Sequence, residues 1–173
     1  MNSELRLAHG RVRGWRDGDQ ASLARHANDR EVWINLRDRF PHPYTVAHAD
    51  AWIGEMLATA PVRNWAIEVD GEAAGGIGIT ELDDINRHSA EIGFWLGRRH
   101  WGRGIVTEAV RALSEYALAE LNVLRLFAHA FEWNPASARV LEKAGFVREG
   151  VLRRSAIKDG RTIDQFLYAR VRE

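Results

Sequence analysis

The chain has 173 residues, 46% of them apolar and 28% charged, which suits one globular domain over 1–173 and excludes a disordered or fibrous chain. Its 24 basic and 24 acidic residues cancel, so the basic excess of a nucleic-acid binder is missing and no nucleic-acid partner is expected. It contains no cysteine, which removes disulfides, thiolate metal ligands and a cysteine nucleophile in one step and fits a reducing compartment.

Met1 to Gly10 mixes charges with leucines and has no apolar h-region, so no signal peptide is expected. No apolar stretch approaches the roughly 18 residues of a membrane span. A soluble cytoplasmic chain is the expectation. Arg11 to Arg16 alternates polar and apolar residues, as a half-buried strand does. Asp17 reads as the N-cap of a helix over Gln20 to Ala27, and Asp29 as the cap of a second helix holding Val32, Trp33 and Leu36. Pro41 and Pro43 keep the segment Phe40 to Tyr44 irregular. Thr45 can cap a third helix with Ala49, Trp52, Ile53 and Met56 along one face.

Strands follow at Asn64 to Val69 and Ala73 to Thr80, joined by a tight Asp70-Gly71 turn, and then at Ala90 to Leu96. From Gly104 to Leu121 the positions Val106, Val110, Leu113, Ala117 and Leu121 keep helical spacing. Leu124 to Ala130 reads as a strand. Asn134-Pro135 opens a helix with a cap residue and a proline at its first position, and the helix ends at Lys143 before Gly145. Val147 to Ile157 and Thr162 to Val171 form a last hairpin across Asp159-Gly160. The order predicts an α+β or mixed α/β fold, a mostly antiparallel sheet with helical crossovers.

Arg99-His-Trp-Gly102-Arg103-Gly104 lies between a strand and the longest predicted helix. The first turn of a helix has free N–H groups and the positive end of the helix dipole, and small residues let a diphosphate approach those amides. Arg99 and Arg103 add charge, and Thr107 adds a hydroxyl one turn in. The plainer reading is a glycine-rich connector. The segment lacks the Gly-Lys-Ser/Thr of a nucleotide P-loop, and Thr107 stands where a dinucleotide fingerprint has its third glycine.

Arg99-x-x-Gly102-x-Gly104, coming after the strand Glu91 to Leu96, resembles the acyl-CoA motif of the GNAT acetyltransferase superfamily. Asn134-Pro-Ala-Ser137-x-x-x-Leu141-Glu142-Lys143-x-Gly145-Phe146 is similar to the same family, as is Lys158-Asp159-Gly160-Arg161 followed by Asp164 and Tyr168-Ala169-Arg170. With Asn35 to Thr45 they resemble the RimJ/RimL-type branch, which acetylates ribosomal-protein N-termini and related amines. The resemblance runs from about Val12 onward.

It implies a twisted sheet of about seven strands flanked by helices, with the strands Ala90–Leu96 and Leu124–Ala130 splayed to admit the pantetheine arm of acetyl-CoA. Backbone groups of Phe94 and Leu96 would pair with that arm, while the turn Arg99, Trp101, Gly102, Arg103, Gly104, Ile105 and Thr107 would hold the diphosphate. Asn134, Ser137 and Lys143 complete the implied cofactor contacts. Ser137 matches a serine that sits by the thioester sulfur and can protonate the leaving thiolate; a solvated helix serine is the alternative. Glu91 matches a carboxylate that serves as base in parts of the superfamily; a strand-edge glutamate paired with an arginine is the alternative.

The branch has a carboxylate nineteen residues after the serine, where this chain has Ala156. A base matters because a free α-amine, with a pKa of about 7.7–8.0, is about one-seventh neutral at pH 7, whereas a lysine near 10.4 is neutral about four times in ten thousand. Either Glu91 takes the role of that base, or the acceptor is an amine that loses its proton easily; the acceptor that the resemblance implies is a primary amine, that of a protein N-terminus. A small amine (a polyamine or an antibiotic) and a non-catalytic acyl-CoA-binding module are the alternatives. The seven histidines show no metal spacing, and no metal is expected; only His42 is placed near an acceptor. Trp15, Trp52 and Trp65 fall in core-like positions, while Trp33 and Trp101 suit an acceptor cleft or a homodimer contact.

Overall fold

The computed structural model describes residues 4–173, so Met1 to Ser3 of the stretch scanned for a signal peptide lie outside the described residues. Eight strands form one sheet in the order β1-β2-β3-β4-β5-β6-β8-β7, mostly antiparallel, with the β5/β6 pair parallel. The strands are β1 (Leu5–Leu7), β2 (Gly10–Arg13), β3 (Asn64–Val69), β4 (Glu72–Glu81), β5 (Ser89–Leu96), β6 (Arg125–Phe131), β7 (Val147–Lys158) and β8 (Arg161–Val171). The helices are α1 (Gln20–Ala27), α2 (Arg30–Trp33), α3 (Val46–Ala58), α4 (Ile105–Glu120) and α5 (Pro135–Lys143). The mixed α/β fold expected from the sequence is therefore present, with one strand more than the seven expected. The extra strand is β1, which pairs Leu5 with Val12 of β2. Among the described residues no helix is long and apolar enough to cross a membrane.

The chain divides into two units, Met1–Gly78 with Phe94–Ala109, and Ile79–Gly93 with Val110–Glu173. In the first, Trp15, Leu23, Ala24, Ala27, Tyr44, Ala49, Ile53, Ala66 and Ala73 form a core, with Phe40, Trp52, Met56 and Trp95 packed against it. In the second, Leu126, Ala128 and Ala130 of β6 are buried along with Leu113, Leu141, Phe146, Ile163 and Tyr168.

Two helix boundaries differ from expectation, each for a local reason. Asp19, not Asp17, occupies the N-cap of α1, and its side chain does not cap the helix. Its carboxylate is taken by the Arg13 guanidinium and the Arg16 N–H instead. α2 is capped by Asp29 as expected but stops at Trp33, short of Leu36. Thr45 caps α3 as expected, and His48 answers it by accepting the Thr45 N–H, closing a capping box.

Arg13 is 2% exposed and bonds Glu68 at 2.5 Å and Asp19 at 2.7 Å, tying β2 to β3 and to the start of α1. Burial pushes the Glu68 carboxyl up, but hydrogen bonds from Arg13 and Arg11 outweigh it and leave its pKa lowered. A lowered carboxylate pKa contributes stability above the free glutamate value of about 4.3, lost as pH falls through the folded pKa. Arg13→Ala removes the buried guanidinium shared by two buried carboxylates, leaving Glu68 only the half-exposed Arg11 and Asp19 only the Arg16 N–H, and is expected to destabilise the chain by about 3 kcal/mol at neutral pH. Urea midpoints measured at pH 7 and pH 4 check this, and the gap between variant and wild type should shrink at the lower pH.

Candidate functional site

The turn expected to hold a diphosphate is built in the first unit. β5 ends at Leu96, Arg98–His100 makes one 3-10 turn, and α4 starts at Ile105. Gly102 and Gly104 have φ of 76° and 79°, a left-handed backbone that favours glycine. A Cβ added to either would meet nothing within 4 Å, so the space above both is open. The first turn of α4 follows directly, and the N–H groups of a helix's first turn have no partner within the helix, the feature by which such turns take anions. Thr107 is half-buried in that turn. Ile105 is 1% exposed, so its side chain anchors the helix in the core.

The base of the turn is held by polar contacts that the sequence pattern does not reveal. Gly97 packs so closely on His26 of α1 that a Cβ there would come within 2.5 Å of its Nδ1. His26 Nε2 bonds Glu72 at 3.1 Å, and Glu72 also takes Arg99 at 2.5 Å and Arg25 at 3.3 Å. Arg99 Nε reaches His100 Nε2, and Arg103 reaches His100 Nδ1 at 3.2 Å and Asp70 at 3.7 Å. Arg98 pairs with Asp29 at 3.0 Å. Burial first, and then the neighbouring His26 and arginines, push His100 below the usual histidine value. Burial likewise lowers His26, against the pull of Glu72. Each arginine of the turn thus has a carboxylate partner, which leaves the backbone amides as the main anion-binding element.

Trp101 is 46% exposed, but its indole N–H donates to the Leu96 carbonyl at 2.7 Å. That bond occupies one of the two lone pairs of a carbonyl expected to meet the pantetheine arm. Phe94 is half-buried. Trp33, at the end of α2, stacks on His42 of the proline-containing segment with ring centroids 5.4 Å apart.

The proton-transfer candidates lie in the second unit. Asn134 caps α5, its Oδ1 accepting the Ser137 N–H at 3.1 Å. The Ser137 hydroxyl is half-buried and makes no hydrogen bond among the described residues. Lys143 ends α5, is exposed, and offers its carbonyl to Arg111 at 2.7 Å. β5 and β6 pair over Ser89–Glu91 and Arg125–Phe127, although β5 continues to Leu96 and β6 to Phe131. Glu91 meets His129 at 3.2 Å, Nδ1 to Oε1, with side chains 19% and 22% exposed. His129 is the residue that sequence reasoning passed over, since one of seven scattered histidines carries no spacing signal. Ala156 stands half-buried on β7, opposite Ile163. No group of three or more His, Cys, Asp or Glu able to hold a metal occurs among the described residues.

Residues 11–147 match the acetyltransferase (GNAT) domain family. The chain belongs to that family. It is 38% identical to the putative ribosomal N-acetyltransferase YdaF of Bacillus subtilis over 58% of this chain and 54% of that one. The chain spans about half the length of the first curated relatives that it matches. With the L-amino acid N-acetyltransferase AaaT of Escherichia coli it shares 28% identity over 98% of this chain and 99% of the relative. Among solved structures, Mycobacterium smegmatis RimJ in complex with CoA-disulfide is similar at a TM-score of 0.82 and 26% identity, covering 98% of this chain and 86% of that one.

Proposed function

We propose that this acetyltransferase-family protein moves the acetyl group of acetyl-CoA to an α-amine, that of a protein N-terminus, by direct attack in a ternary complex. The observation that supports the reading is the open space above the left-handed Gly102 and Gly104, directly before the N-terminus of α4, where a diphosphate could approach the first-turn amides. Those amides, with Arg99, Trp101, Arg103 and Thr107 around them, would bind the diphosphate. Backbone groups of Phe94 and Leu96, together with Asn134 and Lys143, would position the rest of the cofactor. Ser137 would protonate the departing thiolate, and Glu91 supplies the basic end that relieves the amine of its proton. The chain has no cysteine, so an acetyl-thiol enzyme intermediate is excluded by composition.

The preference for an α-amine rests on proton energetics. Making a lysine amine neutral at pH 7 costs about 3.5 kcal/mol more than making an α-amine neutral, and this chain has Ala156 where the related branch has a second carboxylate. YdaF, named a putative ribosomal N-acetyltransferase, and AaaT, named an L-amino acid N-acetyltransferase, support an amine acceptor. AaaT is matched along almost its whole length, and this favours a free amino acid as the second reading.

Acetyl-CoA alone is expected to raise the melting temperature, following RT ln(1 + [L]/Kd), or about 2.7 kcal/mol at a hundredfold excess over Kd. Thermal unfolding with and without millimolar acetyl-CoA tests the cofactor. A CoA-release assay with N-terminal peptides, amino acids and polyamines tests the acceptor. No melting shift removes the proposal, and a shift without CoA release from any amine points to a non-catalytic acyl-CoA-binding module.

A further inference from the structure

We propose that the general base is a dyad, with His129 Nε2 taking the proton and Glu91 acting as the positioning residue that orients the imidazole. The inference rests on the acetyl-transfer reading and refines its basic end. β6 alternates strictly: Leu126, Ala128 and Ala130 are buried on one face, while Phe127, His129 and Phe131 are half-buried on the other. The parallel register sets Glu91 opposite Phe127, one step from His129 along that half-buried face. The carboxylate then reaches His129 Nδ1 at 3.2 Å, and the Phe127 ring stands edge-on to the imidazole at 5.7 Å.

An ionised carboxylate only accepts hydrogen bonds, so Nδ1 carries the hydrogen and Nε2 keeps its lone pair. Nε2 makes no hydrogen bond among the described residues, and the side chain is 22% exposed, so its lone pair is left for a substrate proton. From β8, Leu167 lies opposite His129, and Asp164 further along accepts the Arg154 N–H. α5 packs on β6 and brings Arg139, Glu142 and Lys143, with Glu142 accepting the Tyr168 hydroxyl. At the far end of β6, Arg125 is paired with Glu149.

Basicity favours the imidazole over the carboxylate as the direct acceptor. Proton transfer from an α-ammonium to a free imidazole is unfavourable by about 20-fold, and to a free glutamate by roughly 3,000-fold. The first amine proton passes to Nε2, giving an imidazolium held by Glu91. The neutral nitrogen attacks the thioester carbonyl, the C–N bond forms and the C–S bond breaks. Ser137 gives its proton to the thiolate and is reprotonated, through solvent, by the second proton of the amine. The imidazolium returns its proton to water, so one proton is released per turnover and Glu91 stays ionised throughout.

The test is CoA release from acetyl-CoA and an N-terminal peptide or amino acid between pH 5.5 and 9.5, for wild type, His129→Gln and Glu91→Gln, with melting curves for each. If His129→Gln melts below the assay temperature, His129→Asn takes its place. His129→Gln should lower kcat/KM by about 10²–10³-fold at pH 6.5 and recover most of it above pH 9, where the amine is already neutral. Glu91→Gln should lose less and move the acid limb of the profile to lower pH, because an amide does not stabilise the imidazolium. Wild-type rates in the His129 variant, or an equal loss at both ends of the range, overturn the dyad while leaving acetyl transfer intact. A Glu91→Gln loss larger than that of His129→Gln overturns it as well, by making the carboxylate the direct base. A wild type that releases no CoA with any amine overturns the acetyl-transfer reading and the dyad together.

Discussion

Ser137→Ala is expected to lower kcat by about 10²–10⁴-fold while leaving acetyl-CoA affinity and the melting temperature almost unchanged. The prediction is clean because the fold uses the residue's backbone and not its hydroxyl. The Ser137 N–H is the donor that Asn134 Oδ1 caps, and alanine keeps that donor. Alanine is also the best helix former, so α5 loses nothing from the exchange. The hydroxyl, by contrast, is uncommitted among the described residues and free to serve a thiolate. Affinity measured by titration calorimetry and kcat measured by CoA release separate the two roles. An unchanged kcat would mean that thiolate protonation does not limit turnover and that Ser137 is a solvated helix residue. Asn134→Ala should behave in the opposite way, costing about 1 kcal/mol of stability through the lost cap.

What the sequence made legible follows from how local each signal is. The β3/β4 hairpin was readable to within a residue or two because Asp70-Gly71 adopts left-handed φ of 52° and 82°, which few other residue pairs accept. α5 was readable from Asn134-Pro135 and Gly145, whose roles are fixed by helix-end chemistry within three residues of each terminus. β1 was not readable, since three residues carry too little periodicity and its pairing with β2 supplies the missing context. The N-cap of α1 lies two residues beyond Asp17, at Asp19, whose carboxylate is held by Arg13 rather than by the helix, a contact that only the folded chain reveals. The site divides in the same manner. The Arg99–Gly104 turn is contiguous and could be read, whereas the His26–Glu72–Arg99 contacts join α1, β4 and the turn. The Glu91–His129 contact likewise spans 38 positions and exists because β5 and β6 run parallel in one register.

Gly104→Val should abolish the stabilisation by acetyl-CoA, and the cause can be separated from a general folding defect. At φ 79° a valine pays a steric penalty of about 1–2 kcal/mol for a left-handed backbone, so the variant will melt earlier even without ligand. Gly160 offers a matched control. It sits at φ 72° in the β7/β8 hairpin, and a Cβ there also meets nothing within 4 Å. Gly160→Val therefore carries a similar backbone cost at a position with no part in the proposed cradle. Both variants should lose comparable melting temperature, but only Gly104→Val should fail to gain any on addition of acetyl-CoA. The branched side chain would fill the open space through which a diphosphate reaches the amides of α4. If Gly104→Val keeps a wild-type ligand shift, the turn is a connector and the cofactor is held elsewhere. If Gly160→Val loses the shift too, the loss reports weakened folding rather than a blocked site.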